Sequence, residues 1–174
     1  MGLDHILFVF ALSASYLISD WKKVLVLVTA FTIGHSVTLA LATLNIIKVR
    51  SDAVEFFIVV TILIAAMSNL FQKEGGASKI QINYFYALFF GLIHGLGFSN
   101  TLRAMLSKKQ ELITPLLAFN LGLELGQIII VVLFLLAGFI AVSLLGMNRR
   151  DWRIIISSAI AGMAMLIIRE RIFW

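Results

Sequence analysis

The chain has 174 residues, 61% of them hydrophobic and only 13% charged, with a mean hydropathy of +1.03 and a formal charge of +5. A soluble domain carries about twice that share of charge, so the composition excludes an ordinary water-soluble globule. With no cysteine, disulfides and thiolate metal ligands are excluded, and no basic stripe with interleaved aromatics supports a nucleic-acid partner.

Apolar runs of about 20 residues recur, each long enough to cross a bilayer as a helix. They predict an all-α, polytopic membrane protein: a six-transmembrane-helix bundle forming one domain over 1–174. The first run, 3–19, carries Asp4-His5 and has no basic n-region, which reads as a permanent helix rather than a cleaved signal. The second, 22–47, holds Phe31-Thr32-Ile33-Gly34-His35-Ser36-Val37-Thr38-Leu39. Its Ser and Thr hydroxyls can bond carbonyls of their own helix, whereas His35 needs another partner.

The third run, 52–71, places Glu55 one turn inside and Ser68-Asn69 near the opposite end. The fourth, 83–106, contains Phe90-Gly91-Leu92-Ile93-His94-Gly95-Leu96-Gly97-Phe98 and then Asn100. Gly91 and Gly95 flank His94 and can admit a neighbouring backbone. The fifth, 113–145, starts near Pro115 and is longer than a span needs, so it is expected to tilt, break or extend beyond the bilayer. Asn120, Glu124 and Gln127 share one of its faces, and Gly122 and Gly126 form a GxxxG on a neighbouring face that predicts close helix approach. The sixth run is 152–171. Polar breaks at 19–23, 48–52, 72–83, 107–111 and 147–151 separate the runs.

With six spans both termini lie on one side, and the 14 lysines and arginines then divide evenly between the two surfaces. The positive-inside rule therefore selects no orientation. Depth says more. Counted along the helices at about 1.5 Å per residue, His5, Glu55, His35, His94, Asn100, Asn120 and Glu124 gather in the half of the membrane nearer the termini. An ionisable group in hydrocarbon costs several kcal/mol on insertion scales and usually faces a bundle interior or a water-filled path. The expected site is therefore a buried metal centre of His5, His35, His94, Asp4 and Glu124, supported by Ser36, Glu55, Asn100, Asn120 and Gln127.

Neutral imidazole suits nickel, zinc, copper or iron, and carboxylates add charge compensation. Asp4, Ser36 or Asn120 could orient a ligand histidine. Two other uses of these residues remain: a membrane-embedded zinc hydrolase on the same three histidines, and a structural subunit of a membrane complex whose polar groups only hold helices together. No nucleophile-elbow motif is present to support a Ser-His-Asp site.

The blocks Gly2-Leu3-Asp4-His5-Ile6-Leu7-Phe8, 31–39 and 90–98 as quoted, and Phe119-Asn120-Leu121-Gly122-Leu123-Glu124-Leu125-Gly126-Gln127 resemble the signature blocks of the HupE/UreJ family, in order and across nearly the whole chain. Those are small membrane proteins associated with hydrogenase and urease accessory genes, regarded as secondary permeases for nickel or cobalt. The resemblance implies a permease for a divalent transition metal, nickel before zinc or cobalt, in a bacterial inner membrane. Its partners would be the lipid bilayer and the ion, with a homo-oligomer or an accessory subunit as further options. No ATP-binding motif is present, so a gradient or a partner would drive transport.

Overall fold

The structure, a computed structural model, describes residues 2–72, 80–105 and 113–172. Among the described residues there are six α-helices: α1 (Gly2–Ser13), α2 (Trp21–Thr43), α3 (Ser51–Phe71), α4 (Ile80–Met105), α5 (Ile113–Phe139) and α6 (Arg149–Glu170). A 3-10 turn at Ile18–Asp20 leads into α2, and a π-helical segment, Ile140–Leu144, ends α5. No strand occurs among the described residues. The expected breaks at Gly75-Gly76 and 107–111 lie outside them.

Four of the described stretches are long and apolar enough to cross a bilayer: Ile18–Thr43, Ser51–Phe71, Thr114–Leu144 and Arg149–Glu170. This is a helical membrane bundle, but α1 differs from the expected full span over 3–19. Its 12 residues rise about 18 Å, well short of the ~30 Å hydrocarbon core. Ser15, in place of extending the helix, hydrogen-bonds across to Asn69 and Gln72 of the α3 end at 2.9 Å each.

Local chemistry explains the other ends. Asn45 follows α2 at φ 61 and Gly146 follows the π segment at φ 72, the left-handed conformation with which helices commonly stop. Asn148 caps α6 by accepting from the Arg150 N–H. Asp52 in the first turn of α3 is clasped by Arg50 and favoured by the helix dipole. Pro115 falls in the first turn of α5, where its missing N–H costs least.

The most extensive contact is between α2 and α4. A Cβ on Gly34 would run into the carbonyl oxygen of Leu88, one on Gly91 into that of Phe31, and one on Gly95 into that of His35. Backbone thus lies on backbone along this pair, as small residues permit in membranes. Gly122 and Gly126 behave differently: nothing lies within 4 Å of a Cβ placed on either. The expectation that this GxxxG draws helices together within the chain is corrected, because that face of α5 is turned away from the bundle, beside the exposed Leu121 and Leu125.

Around the α2–α4 pair, α1 is the most enclosed helix. Leu7, Phe8 and Ala11 enter a core with Leu27 and Phe31 of α2, Ile58 and Ile62 of α3, Phe90 of α4 and Ile160 of α6. Val9 joins Val24, Val28, Val131 and Leu135 in a second cluster against α5. The outward faces of α5 and α6 carry exposed leucines and isoleucines such as Leu133, Ile129 and Leu166, as lipid requires.

The glycines yield a paired expectation. Gly95→Ala should destabilise the folded bundle by about 1–3 kcal/mol, the usual cost of overpacking, because the obstruction is backbone and cannot rotate away. Gly122→Ala should leave thermal unfolding in detergent unchanged. Equal loss in both variants would contradict the glycine contact.

Candidate functional site

Three helices bring the three histidines to one place. His5 stands one turn into α1, His35 in the middle of α2 and His94 in the middle of α4; all are buried, and His35 and His94 are fully so. The His5 ring centroid lies 5.3 Å from that of His35 and 4.9 Å from that of His94, both edge to face. The glycine contact makes this possible. Gly91 and Gly95 straddle His94 and press on the α2 backbone at Phe31 and His35, so the two imidazoles start from adjoining main chains.

Aromatic rings enclose the cluster. Phe98 meets His5 at 4.7 Å, Phe8 meets His94 at 4.9 Å, Phe31 meets His94 at 5.1 Å and Phe119 of α5 stacks on His35 at 6.4 Å. They exclude water and leave the imidazoles few polar partners. His35 Nδ1 and Nε2 and His94 Nδ1 are buried without a hydrogen-bond partner. Such orphaned groups each cost about 1–3 kcal/mol, which a folded bundle would not be expected to tolerate without reason.

His94 Nε2 is the exception, at 3.1 Å from Thr61 Oγ1 of α3. The same hydroxyl donates to the Ile58 carbonyl at 2.6 Å. A hydroxyl has one proton, so in the neutral ring His94 Nε2–H is the donor to Thr61. The lone pair is thereby assigned to Nδ1, the nitrogen with no partner.

The carboxylates divide into two places. Asp4, 2% exposed, pairs with the Arg171 guanidinium at 3.2 Å. Arg171 also reaches Glu55, at 4.0 Å from its carboxylate and 3.3 Å from its carbonyl oxygen. Asp4 and Glu55 thus mark the end of the bundle where α6 finishes, next to His5 in sequence. Glu124 accepts a hydrogen bond from Thr29 at 3.2 Å. Thr29 is six residues before His35 on α2, about 9 Å along the axis, so this carboxylate lies toward the other end.

Gln127 accepts from Thr32 at 3.0 Å, which makes α5 a polar rail on α2. Asn120 lies against His35, near enough for its amide to act as a polar partner of the ring, although no hydrogen bond of good geometry forms and its Oδ1 has no other partner. Ser36 donates to the Thr32 carbonyl of its own helix at 2.7 Å and so does not hold a histidine. The side chain of Asn100 lies outside the described residues.

Among the described residues no three His, Asp or Glu side chains already converge on one point as a closed ion cage. The rings meet edge to face, and side-chain rotation would have to turn their lone pairs inward. Reading the chain alone missed Thr61, Thr29, Arg171 and the four phenylalanines. Thr61 had a signal, being the lone hydroxyl in the run Ile58-Val59-Val60-Thr61-Ile62-Leu63. Arg171 had none beyond its charge, because its partner is 167 residues away.

Removing the charge of Arg171 tests the buried pair. Arg171→Gln should lower stability by about 3 kcal/mol, the low end for breaking a buried pair, since Arg171 is itself partly exposed. Asp4→Asn added to Arg171→Gln should recover much of the loss in thermal unfolding, whereas no recovery would place the effect elsewhere.

Residues 1–171 match the family described as HupE / UreJ protein. No curated protein and no solved structure matches the chain. With almost the entire length inside that family's pattern, and long apolar helices packed around a polar centre, this integral membrane protein belongs to the HupE/UreJ family.

Proposed function

We propose that the protein is a permease for a divalent transition-metal ion, nickel first among them, in a bacterial inner membrane. The observation that carries this reading is the set of buried ring nitrogens on His35 and His94 that lack a well-formed hydrogen bond, gathered with His5 inside a shell of phenylalanines. A divalent cation is the partner such nitrogens lack, and imidazole lone pairs suit nickel, cobalt and zinc alike. Membership of the HupE/UreJ family favours nickel.

In this reading His94 binds through Nδ1, held in that tautomer by Thr61, and His35 and His5 turn toward it. Asp4 and Glu55 draw the cation to the end of the bundle where Arg171 lies, and Glu124 of α5, held against Thr29 of α2, compensates charge or accepts a proton as the ion moves. Bound metal requires deprotonated ligands, so affinity should fall as pH falls and binding should release protons.

The test is nickel binding by calorimetry and nickel uptake into proteoliposomes. His94→Ala should abolish both while leaving the bundle folded. Thr61→Val, which keeps the volume and removes the acceptor, should weaken binding by about 10–100-fold, the usual effect of losing a ligand's orienting partner. Glu124→Gln should flatten the pH dependence of uptake. Tightly retained zinc with no flux would overturn the permease reading.

A further inference from the structure

Two half-buried arginines near the ends of α6 have different surroundings. Arg171 has the carboxylates of Asp4 and Glu55. Arg153 has neutral oxygens instead: its guanidinium donates to the Gln72 carbonyl at 2.8 Å and to Gln72 Oε1 at 3.4 Å, and its Nε is buried without a hydrogen-bond partner. Among the described residues no carboxylate pairs with Arg153. A cation at membrane depth is normally paired, so this one has room for an anion.

Gln72 also borders a half-open cavity of about 550 Å³, set between α1, α3 and α4, within the ~300–1,000 Å³ usual for small-molecule sites. The cavity is amphipathic along its length. Its deep wall includes the buried Leu27 and Phe90, and its outer wall Ile64, Phe71 and Tyr86, which are 51%, 77% and 51% exposed. Those three side chains face the lipid, so an acyl chain can enter sideways without leaving hydrocarbon. The polar lining gathers at the Arg153 end, where Ser15 holds Asn69 and Gln72 at 2.9 Å each. An amide NH2 carries two donors, and that of Asn69 is seen using one, on the Ala11 carbonyl at 2.6 Å. Neutral donors at this level match ester carbonyls.

This end of the bundle is also where a headgroup would lie. All three tyrosines, Tyr16, Tyr84 and Tyr86, and two tryptophans, Trp21 and Trp152, cluster here, as aromatic belts do at the membrane–water interface. The charged residues described at this end are Lys22, Lys23, Arg149, Arg150 and Arg153 against Asp20 and Asp151. Lys23 and Arg149 share Asp20, at 2.7 Å and 3.7 Å. The balance is positive, and basic pockets between membrane helices suit anionic headgroups.

We propose that this cavity is a binding site for one anionic phospholipid, with an acyl chain in the slot between Phe90 and Ile64 and the phosphate on the Arg153 guanidinium. The site is separate from the histidine cluster and does not depend on what the protein transports.

Native mass spectrometry of the full chain, released from detergent, tests this with phosphatidylglycerol and phosphatidylcholine of identical acyl chains as probes. The parent should retain one phosphatidylglycerol and prefer it by at least about fivefold, the effect of one basic residue at a charged lipid surface. Arg153→Gln should lose that preference, and Arg153→Lys, which keeps the charge, should retain it. Arg150→Gln removes an exposed charge from the same end and should leave the preference intact. Ser68→Phe, which places a ring in the cavity without touching Arg153, should lose the retained lipid. Thermal unfolding of each variant in detergent without added lipid separates lost binding from lost fold, and if Arg153→Gln does not fold, Ser68→Phe decides. Equal losses in Arg150→Gln and Arg153→Gln would reduce the effect to general surface attraction and overturn the site. Unchanged lipid retention in Ser68→Phe would overturn it too, as would soluble glycerol phosphate binding as tightly as the lipid.

Discussion

The contact of backbone on backbone between α2 and α4 is the constraint from which the rest of the bundle follows. Gly34, Gly91 and Gly95 each face a carbonyl of the other helix with no room for a methyl group. Without a hydrophobic drive between helices in lipid, close van der Waals packing of this kind holds them together. Its consequence is chemical as well as mechanical. His35 and His94 spring from the two main chains where they touch, and the short α1 closes over them with His5. Any larger residue at the glycines would part the helices and the imidazoles with them.

Energetically the centre is unfavourable by itself. Three ring nitrogens on His35 and His94 are buried with no hydrogen bond, in a place where phenylalanines keep water out. Apolar packing through Phe8, Phe31, Leu27, Ile58 and Ile62 supplies the stabilisation that offsets them. Thr61 adds order rather than much stability by deciding which nitrogen of His94 carries the proton. The carboxylates stand apart from this centre, Asp4 and Glu55 with Arg171 at one end and Glu124 with Thr29 further along. The polar groups therefore form a series through the bundle rather than a single knot.

Much of this was legible in the chain because ionisable groups stand out in apolar runs. Asp4-His5, His35, His94 and Glu124 could be singled out by the cost of placing them in hydrocarbon, and the helical bundle followed from run length. The two glycine motifs show where such reading stops. Gly91 and Gly95 have the same spacing as Gly122 and Gly126, yet one pair is an interface and the other faces outward; spacing identifies a helix face but not what lies against it. The length of α1 was hidden because Ala14 to Leu17 are as compatible with helix as with the turn that ties Ser15 to α3. Arg171 with Asp4 is a pairing of the chain's two ends, and no local pattern encodes it.

The central claim is that the orphaned imidazoles are the ligands of a divalent cation. Nickel K-edge X-ray absorption of the purified, nickel-loaded protein addresses the ligands themselves. The account predicts nitrogen scatterers at the distance of imidazole ligands, about 2.0–2.1 Å on the scale of first-row ions, with the outer-shell pattern of several histidine rings, and its loss in His94→Ala. A spectrum of oxygen ligands alone, unchanged in that variant, would contradict it.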